Sequence, residues 1–153
     1  MIRTFLSAVF VLATVLVAAQ GNTPPTVKVT LPKEAKAGAK VQAIVEVGFA
    51  DGLHGYQNPP TDHDQIPVKV TLDTKGFTVL KMSYPKGIMK TLGGDTKPSA
   101  LYEGTIKIPV TITVPKTAGA SEVKFTVSYQ QCNDQTCFPP FSVSSTAKLT
   151  IKK

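Results

Sequence analysis

Apolar side chains recur at every second position in several segments of this sequence, and this pattern constrains the fold more than any other feature. The clearest example runs from 105 to 114, where the alternate apolar residues are Ile106, Ile108, Val110, Ile112 and Val114. Period-two alternation with one apolar face is typical of half-buried antiparallel strands. Segment 77–84 is apolar but less regular. The predicted strands are 26–31, 40–49, 68–72, 77–84, 105–114, 122–129 and 142–151.

Seven short strands without a long helical period predict an all-β fold in which antiparallel sheets pack as a sandwich. At most one turn of helix is expected, at 33–40. Pro109 lies inside a strong strand pattern and predicts an edge strand or a β-bulge, because proline has no N–H to donate. No internal repeat is visible, and about 130 residues are a normal size for one domain.

The N-terminal segment, residues 1–19, has the pattern of a signal peptide. Arg3 precedes an uncharged apolar run at 5–17, and small residues at 17–19 predict cleavage near Gln20. The mature domain would then be 20–153. The alternative is an uncleaved anchor, but the run is shorter than the ~18 residues of a spanning helix. We therefore expect export to the periplasm, where disulfides persist, and no membrane attachment after cleavage.

The formal charge of +7 comes from lysines scattered along the chain. No cluster interleaves with aromatic residues and no nucleic-acid-binding motif is present, so we expect no nucleic-acid partner. A solvated basic surface with mild attraction to acidic partners is the simplest interpretation.

The two cysteines, Cys132 and Cys137, are the only ones in the chain. Fully extended, the five steps between them would span roughly 17 Å, whereas a disulfide needs Cα atoms about 4.4–6.8 Å apart. The segment must double back if the pair bonds, and Asn133-Asp134 has suitable turn chemistry. Pro139-Pro140 then stiffens the exit. So short a ring contributes only about 2 kcal/mol to stability, yet spacing alone leaves structural and redox roles equally open.

The string at 129–140, Tyr-Gln-Gln-Cys-Asn-Asp-Gln-Thr-Cys-Phe-Pro-Pro, resembles the active-site segment of the N-terminal periplasmic domain of the thiol:disulfide interchange protein DsbD. Weaker similarities follow that family in order at 51–60, 66–70, 84–87, 102–104 and 108–110. The resemblance implies an immunoglobulin-like antiparallel β-sandwich in a single domain. It also implies electron transfer with periplasmic thioredoxin-like partners, without a cofactor.

The resemblance also implies roles for individual residues. Cys137 would form the mixed disulfide with a partner and Cys132 would resolve it. Tyr56, with His54 as a second candidate, would form a wall of the thiol site, although Tyr56 could equally be part of the sandwich core. The remaining neighbours predicted around the cysteines are Asp134, Phe138, which would add an apolar rim, and Tyr129.

A second segment, 88–101, corresponds to the loop that caps the cysteines in the family. Gly93 and Gly94 would let this loop move. The family often presents an aromatic residue here, but this loop has none before Tyr102. Met89 or Leu92 would then cover the sulfur, and the alternative is an ordinary surface loop.

The linear surroundings of the cysteines predict thiols that are not strongly acidified. No Lys, Arg or His lies within seven residues on either side of the pair, and Asp134 disfavours a second negative charge. Such a pair would react quickly only with a docked partner, as in a selective electron relay.

Three hypotheses therefore remain at this stage. The first is a protein-disulfide reductase type of oxidoreductase, which takes electrons from a thioredoxin-like donor in trans and passes them to an isomerase or cytochrome c maturation type of acceptor. The second is a binding or assembly module with an inert disulfide. The third is a copper or zinc carrier using His54 and His63, but their spacing from the cysteines matches no usual zinc pattern, so no metal is predicted.

Overall fold

The computed structural model describes residues 23–153, so the predicted signal peptide lies outside the described residues. Between 23 and 153 the chain forms twelve strands and no helix. The first six are β1 (Thr26–Thr30), β2 (Glu34–Lys36), β3 (Lys40–Gly48), β4 (His54–Tyr56), β5 (Lys69–Leu72) and β6 (Thr78–Met82). The others are β7 (Ile88–Lys90), β8 (Ser99–Glu103), β9 (Thr105–Thr113), β10 (Gly119–Tyr129), β11 (Gln131–Cys132) and β12 (Phe141–Lys152).

Three four-stranded sheets are present among these strands. The first has the order β1-β3-β9-β6, the second β2-β12-β10-β5, and the third β11-β4-β8-β7. The first two contribute to one apolar core, which includes Val45 and Ile112 from one sheet and Phe125 and Leu149 from the other. The predicted immunoglobulin-like antiparallel β-sandwich is confirmed.

The alternating sequence pattern determines which face of each strand enters this core. In β9, Ile108, Val110 and Ile112 are fully buried, whereas the residues between them are partly exposed. Strands β3 and β10 show the same alternation. Burying such side chains is worth about 1.5–3 kcal/mol each, which makes the register of these strands strongly preferred.

All seven predicted strands are present, with ends that differ by a few residues. The possible helical turn at 33–40 was wrong, because Glu34–Lys36 is a strand parallel to the end of β12. The Ala37 N–H donates to the Lys152 carbonyl at 2.7 Å, and the Thr150 N–H donates to the Lys33 carbonyl at 2.9 Å. These long-range bonds satisfy backbone groups that a helical turn would otherwise pair locally.

The edge strand predicted at Pro109 is wrong, whereas the alternative, a β-bulge, is present in the pairing of β9 with β6, between Val79 and Lys81. Pro109 lies in β9, an interior strand, opposite Ile44 of β3. Its carbonyl accepts a hydrogen bond from the Ser83 N–H at 3.0 Å, so it faces β6 just beyond the last paired residues, Met82 and Val110. In an antiparallel strand a residue's nitrogen points to the same side as its carbonyl, so the missing N–H falls at the end of the β6–β9 ladder, where one bond from Ser83 is still made.

The third sheet was not predicted. Segments 50–67 and 88–101, expected to be loops, contain β4, β7 and the start of β8. These strands have five residues or fewer and carry glycine and polar residues, so alternation is too short to identify them. They assemble because backbone ladders join distant parts of the chain, with His54 opposite both Glu103 and Cys132.

Candidate functional site

The cysteine loop closes as the sequence predicted. Cys132 and Cys137 form a disulfide with Cα atoms 4.0 Å apart, slightly below the usual range. The Asn133 side-chain oxygen accepts hydrogen bonds from the Gln135 N–H at 2.9 Å and the Thr136 N–H at 2.7 Å. The predicted turn chemistry of Asn133 is therefore confirmed, because its side chain holds the ring in its doubled-back form.

The two sulfur-bearing residues differ sharply in exposure. Cys132 belongs to β11 and is 0% exposed, whereas Cys137 is exposed. The difference follows from backbone position, since Cys132 pairs with β4 inside the third sheet and Cys137 lies at the end of the loop. An incoming thiol therefore has access to Cys137 and not to Cys132.

Tyr56 is in direct contact with the disulfide. Its hydroxyl lies 3.7 Å from Cys137 Sγ and 3.9 Å from Cys132 Sγ. Since a disulfide sulfur carries no hydrogen, the hydroxyl is the only donor of the group. Burial raises the pKa of Tyr56, with a further contribution from the charge of Asp95, so the hydroxyl keeps its proton at neutral pH.

Gly55 explains how β4 brings Tyr56 and His54 to the sulfurs. A Cβ at Gly55 would lie 2.7 Å from a ring carbon of Phe49 and 2.9 Å from a methyl group of Val68. Only glycine lets β4 approach the core so closely, and the residues on either side then point to the opposite face. The requirement for glycine at this position depends on tertiary contacts and is invisible in the sequence pattern.

His54 is buried beside the disulfide, with only 1% of its surface exposed. It is the cross-strand partner of Cys132 and packs edge-on against Tyr56, with ring centroids 6.5 Å apart. Burial lowers the pKa of His54; the charges of Glu103 and Asp134 oppose that shift and Lys90 adds to it. The imidazole is therefore favoured in its neutral form at neutral pH.

Sequence reasoning missed two charged residues near His54 and the cysteine loop, namely Lys90 and Glu103. Lys90 Nζ lies 2.9 Å from a Glu103 carboxylate oxygen and 3.4 Å from an Asp134 carboxylate oxygen. The linear sequence places no Lys, Arg or His within seven residues of the cysteines, but the fold brings Lys90 to Asp134 of the cysteine loop. Asp134 is not an isolated negative charge, although the predicted reactivity of the thiols themselves stays a prediction.

The segment expected to act as a cap joins β7 to β8 as a hairpin. A Cβ at Gly93 would lie 3.2 Å from the Asp134 carbonyl oxygen, so this part of the loop lies against the cysteine loop. Gly94 has a positive φ of 93°. Met89 is 55% exposed and, with Tyr56, lines an 830 Å³ groove, whereas Leu92 is half-buried. Shielding of the sulfurs by Met89 or Leu92 stays a prediction.

The other predicted neighbours occupy different surroundings. Phe138 is half-buried, and its N–H donates to the Gln131 carbonyl at 2.8 Å, which anchors the exit of the loop. Tyr129 is 2% exposed and belongs to the sandwich core, so it anchors the strand that leads to Cys132.

The residues considered for a metal site are dispersed. His63 is an exposed loop residue that contacts Asp62 at 3.0 Å and Asp64 at 3.1 Å. Among residues 23–153, these three exposed side chains form the one cluster of three or more potential metal ligands. His54 is instead buried on β4, and both cysteine sulfurs are joined to each other.

Comparison with known proteins places this geometry in a family. Residues 22–148 match the family model of the N-terminal part of the thiol:disulfide interchange protein DsbD. The chain belongs to the DsbD N-terminal family. None of the curated proteins matches the sequence.

Two solved structures illustrate the likeness. The N-terminal periplasmic domain of ScsB from Proteus mirabilis is 15% identical with a TM-score of 0.56; the alignment covers 80% of this chain and 46% of that one. The reduced DsbD N-terminal domain of Neisseria meningitidis is 21% identical with a TM-score of 0.48, over 81% of this chain and 85% of that one.

The DsbD N-terminal family and the Cys132–Cys137 disulfide together identify the chain as a thiol:disulfide interchange module. An assembly module with an inert disulfide is not favoured. The family supports thiol:disulfide oxidoreductase activity and thioredoxin-like partners in general. In the part of the chain that the structure describes, no helix is long and apolar enough to cross a membrane.

Proposed function

We propose that this module is a protein-disulfide reductase of the periplasm, which carries two electrons as a Cys132/Cys137 dithiol between thioredoxin-like proteins. A thioredoxin-like donor would reduce the disulfide. An oxidised isomerase or cytochrome c maturation thioredoxin would accept the electrons.

The observation that carries the proposal is the unequal exposure of the two cysteines. A partner sulfur must approach the sulfur it attacks closely and in line, and a fully buried sulfur prevents that approach. Cys137 is exposed and Cys132 is not. Cys137 therefore forms the mixed disulfide with the partner, and Cys132 resolves it from within the protein.

The exchange conserves atoms and electrons. When this chain donates electrons, the Cys137 thiolate attacks the partner disulfide, and one partner sulfur leaves as a thiolate. Cys132, once deprotonated, then attacks Cys137 Sγ, and the bond between Cys137 and the partner breaks. This chain loses two electrons and two protons, and the partner gains them as a dithiol.

Tyr56 contributes to this chemistry through its hydroxyl. Cleavage of the disulfide places negative charge on the leaving sulfur, and a hydroxyl hydrogen bonds a thiolate more strongly than a neutral sulfur. Its contacts with both sulfurs let one donor serve either sulfur.

The test is a trapping experiment with single-cysteine variants. Cys132→Ala, reduced and mixed with the periplasmic extract of the source organism, is expected to retain a thioredoxin-like protein through a bond that dithiothreitol releases. Cys137→Ala is expected to retain none, because its remaining sulfur is buried.

The matched control is Ser128→Ala, which alters a small side chain on β10 whose hydroxyl donates to the Lys69 carbonyl at 3.4 Å. It is expected to reduce a purified thioredoxin-like disulfide as the unaltered chain does. If Cys137→Ala traps partners as well as Cys132→Ala, the proposed order of the cysteines is wrong. If neither cysteine variant changes partner reduction, the relay itself is wrong.

A further inference from the structure

The buried position of Cys132 creates a requirement for proton transfer. For the disulfide to close, the Cys132 thiol must lose its proton, because the thiolate is the nucleophile. An ordinary thiol has a pKa of about 8.5, and burial in apolar surroundings raises the pKa further. At neutral pH only a few per cent or less would be thiolate, and water has no direct access to a residue that is 0% exposed. A group within the protein is needed to take the proton.

His54 is placed to meet that requirement. It is the direct cross-strand partner of Cys132, so the two side chains share one face of the sheet with Cβ atoms about 4.5–5.5 Å apart. Its side-chain Nε2 is buried and has no hydrogen-bond partner among residues 23–153. Buried polar atoms are nearly always paired, so an unpaired imidazole nitrogen calls for an explanation. In the disulfide state Cys132 carries no S–H proton that it can offer to this nitrogen.

The groups around His54 suit a transient positive charge. From β8, Glu103 faces it, and from the cysteine loop, Asp134 does; both carboxylates favour the protonated imidazole. From β7, Lys90 opposes it, but Lys90 is held by ion pairs to the same two carboxylates. From its own strand, Tyr56 presents a neutral ring, and from β11 comes Cys132. Burial keeps the resting imidazole neutral and ready to accept a proton.

We propose that His54 is the base that accepts the Cys132 proton when the disulfide closes and returns it when the disulfide opens. The inference deepens the proposed function and rests on the order of cysteines given there. No role for the second histidine, His63, follows, because it is exposed on the loop between β4 and β5.

The step conserves atoms and electrons. The S–H bond of Cys132 breaks, and its proton passes to the His54 imidazole. The Cys132 thiolate donates an electron pair to Cys137 Sγ, and the sulfur of the partner leaves with the electron pair of its bond. The imidazolium then releases its proton to solvent or to the departing thiolate. Opening runs through the same steps in reverse, so the buried leaving thiolate gains a proton.

The experiment follows closure directly. Reduced protein is mixed in a stopped-flow instrument with one equivalent of the aromatic disulfide 5,5′-dithiobis(2-nitrobenzoate), and absorbance of the released thiolate is recorded from pH 5 to 8. The first release reports attack by Cys137. The second reports closure by Cys132 and is independent of reagent concentration.

In His54→Gln and His54→Phe, we expect the rate of closure at pH 7 to fall by about a hundredfold or more, within the range of general-base effects. The first release should change by less than about twofold. Without the base, the rate of closure should also rise about tenfold per pH unit, because it follows the fraction of Cys132 that is thiolate. The control His63→Gln should match the unaltered protein in both phases. If both His54 variants close at the same rate and with the same pH dependence as the unaltered protein, the inference is overturned.

A second measurement needs no substitution, in case the variants fold poorly. The pKa of His54 in the reduced, unaltered protein is measured by NMR. We expect the closure rate to fall below that pKa and to level off above it. A closure rate that rises steadily to the thiol pKa would overturn the proposal.

The two proposals fail in different ways. If Cys132→Ala releases one equivalent of the aromatic thiolate in the first phase and shows no second phase, the order of the cysteines holds. An unchanged closure rate in the His54 variants then contradicts only the role of His54. If Cys137→Ala instead reacts as fast as the unaltered protein, the order is wrong and the inference falls with it.

Discussion

The two large sheets and the small third sheet of this protein are built on different principles. In the sandwich, buried residues such as Ile112 and Phe125 are apolar and contact one another across the two sheets. In the third sheet, the buried set includes His54 and Cys132, with Lys90 and Glu103 close by. The sandwich supplies stability through apolar burial, whereas the third sheet gathers groups that carry protons, charges and electrons.

The difference shows how one rigid body supports a bond that must open and close. The disulfide joins residues five apart within one loop and does not connect the two large sheets. We therefore expect its opening to leave the core contacts of the sandwich intact. Four predictions test this separation of stability from chemistry.

The largest effect is expected in the core. Phe125→Ala should lower the free energy of unfolding by about 3–5 kcal/mol, because it removes a ring that is 0% exposed. Exchange by the fraction that remains folded should be unchanged. The measurement is urea unfolding, with Phe141→Ala as control, since Phe141 is 62% exposed and should cost less than about 0.5 kcal/mol. Equal losses for the two variants would contradict the assignment of the core.

Reduction of the disulfide should have a smaller effect. Opening a ring of this size should cost about 2 kcal/mol in the free energy of unfolding. Urea unfolding of the oxidised and the reduced protein gives the difference, and the Cys132→Ala, Cys137→Ala double variant should resemble the reduced form. If reduction unfolds the domain, the bond is a structural staple and the comparison between the two regions breaks.

Loss of the Tyr56 hydroxyl should change the rate of disulfide opening more than the free energy of unfolding. Tyr56→Phe removes the donor that contacts both sulfurs, so opening by dithiothreitol should slow by about fivefold, equivalent to about 1 kcal/mol. Tyr84→Phe is the control, because the Tyr84 hydroxyl accepts from the Val70 N–H at 2.9 Å within the sandwich. That control should lower stability and leave the opening rate unchanged; slower opening in both variants would rule out a specific role for Tyr56.

The smallest effect is a dependence of stability on pH. Burial lowers the pKa of His54 from its ordinary value of 6.5, so the unfolded chain binds more protons just below pH 6.5 than the folded chain does. Stability therefore rises with pH in that window and is lost as pH falls towards the lowered pKa. Between pH 7 and pH 6 the loss should be less than about 1 kcal/mol.

His54→Gln should reduce the dependence of the free energy of unfolding on pH, whereas His63→Gln should leave that dependence unchanged. The measurement is urea unfolding at pH 6 and pH 7 for the three proteins. A slope that depends on His63 and not on His54 would contradict the buried, neutral state of His54.

Much of the fold was predictable because its signal is local. Alternation in 40–49 and 105–114 already separates buried from exposed faces, and every predicted strand is present. The turn at Asn133 was also predictable, because an Asx side chain bonds backbone groups only two or three residues ahead. Tyr56 was named from the family resemblance, and its hydroxyl lies 3.7 Å from Cys137 Sγ; its role in the thiol site stays a prediction.

Other features were not predictable because they depend on distant partners. The strand Glu34–Lys36 forms only because the end of β12 lies beside it. Pro109 is tolerated in an interior strand because it lies at the end of the ladder with β6, next to the last paired residue, Val110. Nothing near Lys90 in the sequence indicates that its charge reaches Asp134, which is 44 residues away.

The sequence by itself determined an all-strand chain with one pair of cysteines in a loop that doubles back, because strand periodicity and short-range turn chemistry act between near neighbours. Tertiary structure alone decided that Cys132 is buried while Cys137 is exposed, and that the charge of Lys90 lies beside Asp134 of their loop. Burial and charge depend on distances in space, and these distances exist only after remote strands have paired.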